Sequence, residues 1–166
     1  MRMAWAVALL VATGIMVAGC SQASDPPDKM TMYTAKMTGD QELAKVKTTA
    51  TGMATFTLSA DKMEMKFKVT VAGITDVNGA HIHMGEMGKN GDPIAMMFTG
   101  PEKPGSFTGT LAEGTIKADG LVGPAKGKTI ADLADMMSKG SVYVNVHTKA
   151  NPDGEIRGQI ETMKGM

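Results

Sequence analysis

The stretch KMEMKFKVTVAG, residues 62–73, alternates apolar and polar residues with a period of two. Met63, Met65, Phe67, Val69 and Val71 fall on one face; Lys62, Glu64, Lys66, Lys68 and Thr70 fall on the other. Only an extended chain sends successive side chains to opposite sides, so this is a half-buried strand. TGMATFTLSA repeats the pattern, with Ala54, Phe56 and Leu58 against Met53, Thr55 and Thr57. SVYVNVHT turns Val142, Val144 and Val146 inward against Tyr143, Asn145 and His147, and EIRGQI turns Ile156 inward with Glu155, Arg157 and Gln159 outward. Turn signals separate the runs: Asn78-Gly79, Asn90-Gly91, Asp119-Gly120 and Pro152-Asp153-Gly154. The pattern predicts about eight strands, near 31–38, 51–60, 62–72, 78–84, 93–99, 105–118 (one strand or two), 141–148 and 154–162. No strand–helix–strand alternation appears, so the expected class is all-β: an antiparallel, Greek-key-like β-sandwich or barrel. TIADLADMMSKG departs from it, with apolar residues at 130, 133, 134 and 137 in helical spacing. Thr129 and Asp132 supply a capping-box start and Lys139-Gly140 a stop, which predicts one short connecting helix.

A chain of 166 residues holds one ordinary domain. Aromatic residues make up only 4%, so the core is expected to be aliphatic, with most of the 17 methionines as adaptable filler. Charge is balanced at 17 basic and 17 acidic residues with no basic stripe, which argues against nucleic acid as a partner.

Residues 1–19 read as a separate object. Arg2 precedes an almost wholly apolar run from Met3 to Ala18, and Gly19-Cys20 follows, the order of a secretory signal. The run is too short for a good membrane span. Cys20 is the only cysteine, so no disulfide can form within the chain. Residues 20–30 (CSQASDPPDKM) read as a flexible tether, 31–162 as the domain and 163–166 as a tail. With Arg2 removed the chain holds 16 basic and 17 acidic residues, so no basic patch would attract it to a membrane.

His81 and His83 are two of three histidines in the chain. On a strand over 78–84 they share a face, about 6.6 Å apart along the chain, opposite Ala80, Ile82 and Met84. His147 lies on the face opposite the Val142/Val144/Val146 stripe. If the two strands are neighbours, three imidazoles meet outside the core, a set that suits copper or zinc with one position open. If they are not, the pair is two solvated histidines. Coordination needs neutral rings, so on ordinary imidazole values it should fail below about pH 6.

Methionine sulfur is a soft ligand, and Met84, Met87 and the doublets Met96-Met97 and Met136-Met137 come into view. Alternation points Met84 coreward; Met87 is freer. Arg157 has two readings, an ion pair with a carboxylate such as Glu155 or a site for an anion. Asp92, Asn151 and Asp153 lie in Gly/Pro loops without calcium-loop spacing, so turn chemistry explains them. No Gly-x-Ser-x-Gly and no cysteine inside the domain supports a nucleophilic enzyme, and no catalytic residue is assigned.

Three resemblances bear on these residues. Val17-Ala18-Gly19-Cys20 resembles the lipobox of bacterial lipoproteins, which implies cleavage before Cys20, its lipidation, and a place in the cell envelope outside the cytoplasm; Ser21 is compatible with outer-membrane sorting in a host with two membranes. AHIH with NGDPIAMMF, then YVNVHTKANPDGEIRGQI, resembles the CHRD domain, as does the opening YTAKMTGDQELAKVKTTATGMATF; Ala44-Lys45 replaces prolines common there. That resemblance covers about 31–162 and implies a β-sandwich without a fixed activity. His81-Ile82-His83, His147 and Gly154-Glu155-Ile156-Arg157 are also similar, in order, to the copper ligands and following Gly-x-x-Arg of copper/zinc superoxide dismutases. By that analogy Arg157 lies near the metal and attracts an anion, with Glu155 beside it. The bridging histidine, the zinc ligands and the disulfide have no counterpart, so a complete dismutase site is not expected. Two functions follow: one copper ion bound by His81, His83 and His147 for metal handling or redox protection, or a metal-free module for an unnamed protein partner.

Overall fold

The computed structural model describes residues 30–163. The expected signal segment, the Cys20 site and the tether up to Lys29 lie outside the described residues, as do 164–166. The strands are β1 (Met32–Thr38), β2 (Thr51–Leu58), β3 (Met65–Met84), β4 (Pro93–Phe98), β5 (Lys103–Ile116), β6 (Val142–Thr148), β7 (Ile156–Gln159) and β8 (Glu161–Thr162), with helix α1 (Ile130–Ser138) before β6. Every strand pairing is antiparallel. The order β2-β1-β7-β6-β3-β4, with β2 also bonded to β3, closes β1, β2, β3, β6 and β7 into a barrel. β4 and β5 flank it through β3, and β8 pairs with β1. The expected all-β class and single connecting helix are therefore present. Among the described residues no helix is long and apolar enough to cross a membrane.

The strand divisions differ from the sequence reading in three places. The separate strands expected at 62–72 and 78–84 are one 20-residue strand, β3. Asn78-Gly79 is no turn; the ladder to β6 shifts register between Val77 and Gly79, and the chain continues. Bulges absorb the bend while β3 exchanges partners, from β2 and the far part of β5 in its first half to β6 and β4 in its second. Met63, placed on the core stripe by alternation, sits before β3 and is exposed, because the chain turns over 59–64 with Met63 N–H donating to Asp61 Oδ1. The segment 154–162 divides into β7 and β8, whereas 103–116 is one strand.

The core follows the predicted stripes. Ala54, Phe56, Met65, Val69, Ala80, Ile82, Val142, Val144, Val146 and Ile156 are fully buried or nearly so. Helix α1 begins at the expected capping box: Thr129 Oγ1 accepts from Asp132 N–H, and the Asp132 carboxylate accepts from Thr129 N–H. Ile130, Leu133 and Met137 seal its inner face, each such side chain contributing about 1.5–3 kcal/mol of burial. Methionine departs from expectation: among the described residues four (Met37, Met65, Met97, Met137) are buried, but seven (Met30, Met32, Met53, Met63, Met87, Met96, Met163) are exposed.

The second departure concerns the outer face of β6 and β7. Tyr143, Asn145, Glu155, Arg157 and Gln159 alternate away from the core as predicted, yet all are 9% exposed or less. Segments distant in sequence, the stretch from Glu42 to Thr48 and the 85–92 loop, cover them together with the local 149–155 turn. The three histidines lie at the margin of this covered face.

Candidate metal centre

Cross-strand rows build the site. His81 stands opposite Asn145 and His83 opposite Tyr143, while His147 stands opposite Gly79. Gly79 leaves room beside two of the rings. A Cβ there would lie 3.3 Å from His81 Cε1 and 3.5 Å from His147 Cδ2. Ring centroids are 4.8 Å apart for His81 and His147, 5.7 Å for His81 and His83, and 5.8 Å for His83 and His147. One nitrogen from each ring lies within 4.8 Å of the others. The structure thus brings together all three residues singled out from the sequence, on the face that alternation assigned.

Hydrogen bonds fix which nitrogens face inward. His83 Nδ1 lies 3.0 Å from Gly91 O, and His147 Nδ1 lies 2.9 Å from Pro152 O. A carbonyl only accepts, so both Nδ1 atoms carry the proton and both Nε2 atoms carry a free lone pair. His83 Nε2 is buried without a hydrogen-bond partner. His147 Nε2 lies 3.1 Å from His81 Nδ1, and with no proton of its own it accepts from that ring. A cation entering here would take the place of that proton, and His81 would move its hydrogen to Nε2. An orphaned buried nitrogen and carbonyls orienting two of the rings fit a coordinated ion.

Electrostatics favour neutral rings. Burial, with the neighbouring imidazoles, pulls His81 down to about 4. Burial also lowers His83 and His147 below the usual imidazole value. The bonds to Gly91 O and Pro152 O oppose this for His83 and His147, with smaller opposing contributions from Asp92 and Asp153 respectively. Those aspartates, read from sequence as turn residues only, therefore also lend negative charge to the site's edge.

Arg157 requires a correction. The residue is 2% exposed. Nη1 donates to Asn90 Oδ1 at 2.9 Å, and Nη2 donates to Lys89 O at 2.8 Å and Glu86 O at 3.2 Å. Its flat face lies 3.4 Å from the centre of the Tyr143 ring. Tyr143 in turn stacks on His83 with centroids 5.1 Å apart. These bonds tie the guanidinium to the 85–92 loop, and Glu155 hydrogen-bonds elsewhere and does not pair with it. Glu155 accepts from Thr48 and Thr148 hydroxyls at 2.8 and 2.7 Å and from Asn151 Nδ2 at 3.0 Å. It braces the turn that presents Pro152 O to His147. Glu42, unremarked in the sequence, approaches Arg157 and accepts from Asn145 Nδ2 at 2.7 Å; burial raises it to about 7. Tyr143 and Gly79 were also missed. Their roles come from register between strands, which no local signal reveals.

Comparisons with known proteins bear on the whole domain. A family model described as the CHRD domain matches residues 33–160. Chordin of Xenopus laevis is 28% identical over 123 residues, which cover 69% of this chain and 11% of chordin. The similarity thus concerns a small part of that relative. No solved structure gives a significant match.

Proposed function

The chain belongs to the CHRD domain family, and from that premise we propose that it is a non-catalytic binding module, working outside the cytoplasm, whose bound partner is one copper ion. His83 Nε2, His147 Nε2 and His81 Nδ1 would hold the ion. The observation that carries this reading is His83 Nε2, buried without a hydrogen-bond partner on a ring whose centroid lies 5.7 and 5.8 Å from those of His81 and His147. Leaving such an atom unsatisfied costs about 1–3 kcal/mol, which coordination would recover. Bound copper would supply a redox-active centre suited to metal handling or redox protection. The chain's own residues supply neutral ligands and a fixed orientation.

Lipidation at Cys20, with the domain held at a membrane in the cell envelope, completes the proposal. Cys20→Ser should release the protein from the membrane fraction. The similarity to chordin favours a second reading, a protein-interaction module that needs no metal.

The test is a Cu(II) titration of the full chain purified without a histidine tag, repeated on His83→Ala. One ion per chain, lost in the variant, is the expected result. Binding no tighter than about 10 μM, roughly −7 kcal/mol, would leave the metal-free module.

A further inference from the structure

Three nitrogens leave a coordination position to be filled, and the strand register offers a residue for it. His81 is the directly opposed partner of Met96 on β4. Opposed residues of an antiparallel pair project from the same face, with Cβ atoms about 4.5–5.5 Å apart. Two irregularities in β4 frame this pairing, one at the Ala80/His81 step and one at the Ile82/His83 step. Between them Ala95 and Met96 face Ile82 and His81, so Ala95 enters the core with Ile82 and Met96 joins the imidazole face. Met96 is 42% exposed, while Ala95 and Met97 on either side are buried. A long unbranched apolar side chain is thus left partly in solvent directly across from His81, where core packing gives it no role.

Other methionines near the site do not share this placement. Met84 packs against the core. Met87 is 74% exposed and lines a separate cleft with Leu43 and Arg157. The thioether is a soft ligand that selects Cu(I), and imidazole serves both copper states. Three unbranched, freely rotating bonds let the sulfur reach inward from its Cβ.

We propose that Met96 Sδ is a fourth ligand, so that the centre retains copper in its Cu(I) as well as its Cu(II) state. This rests on the copper reading above. The experiment loads the full chain, without a histidine tag, with Cu(I) under anaerobic conditions and records the copper X-ray absorption fine structure. Cu(I) and Cu(II) affinities are then measured by chelator competition for the wild type, Met96→Leu and His83→Ala. Leucine conserves volume at an exposed site and leaves the fold intact. The wild type should show sulfur in the first coordination shell of Cu(I), and Met96→Leu should not. Met96→Leu should lose about tenfold or more in Cu(I) affinity, about 1.4 kcal/mol, with Cu(II) affinity changed by less than about threefold. His83→Ala should lose both. A nitrogen-only shell in the wild type, or equal Cu(I) affinities in wild type and Met96→Leu, would overturn the Met96 ligand and leave the three-histidine centre standing. Failure of the wild type to bind either copper state would overturn both.

Discussion

At the scale of single residues, His81 and Glu42 are displaced in opposite directions by the same force, burial of a charged form. His81 is pulled down to about 4, so in the folded chain it stays neutral while an unfolded chain takes up a proton near 6.5. The unfolded state then binds more protons between those values, and this contribution to stability falls as pH falls from about 6.5 to 4. For the metal the consequence is favourable. The sequence-level threshold of about pH 6 assumes ordinary imidazoles, whereas all three rings here are lowered. Copper affinity should therefore persist at pH 5.5 and decline toward 4.5, as titrations at pH 7, 5.5 and 4.5 would show. Glu42 has the reverse sign. Its carboxyl is raised to about 7, so the folded state holds a proton that the unfolded state releases near 4.5. Stability from this group is full below about 4.5 and is lost as pH rises through 7. Glu42→Gln keeps an oxygen for Asn145 Nδ2 and removes the buried charge. It should raise stability at pH 8 by on the order of 1 kcal/mol and leave it unchanged at pH 4, measured by thermal or denaturant unfolding. Alternation alone made the shared face of His81 and His83 legible. It could not reveal that Tyr143, Asn145 and Arg157 are covered, since the covering residues lie 60 or more positions away in some cases, as with Asn90 to Arg157.

At the scale of elements, the 85–92 loop connects the histidine cluster to the barrel. Gly91 O orients His83, and the Glu86 and Lys89 carbonyls accept from Arg157, which is stacked on Tyr143. Arg157→Met keeps the volume but leaves those carbonyls without their charged donor. It should cost about 3 kcal/mol and speed hydrogen exchange across 85–92, with a weaker copper affinity although no ligand atom is removed. Retained exchange protection in that loop would show that Arg157 does not hold it. Helix α1 was legible to its cap because Thr129, Asp132 and the 130/133/134/137 spacing are local signals. β3 was not, because Asn78-Gly79 is also a hairpin sequence. Its outcome was decided by β6 pairing across it on Val77 and Gly79.

At the scale of the whole molecule, the pairing of β3 with β6 makes the site. β3 and β6 are far apart in sequence and adjacent in the sheet, which is the one fact the three-histidine hypothesis needed and the sequence could not supply. Because the ligands come from two strands of one closed sheet, an ion bound to them is bound only by the folded chain. Copper at 100 times its Kd should stabilise the protein by about 2.7 kcal/mol, visible as a rise in Tm that His83→Ala abolishes.

The most direct test of the shared centre is a crystal structure of the copper-loaded protein with anomalous data at the copper edge. The account predicts one peak per chain, about 2 Å from His81 Nδ1, His83 Nε2 and His147 Nε2. A peak elsewhere, or one that leaves the His147 ring beyond bonding distance, would contradict it.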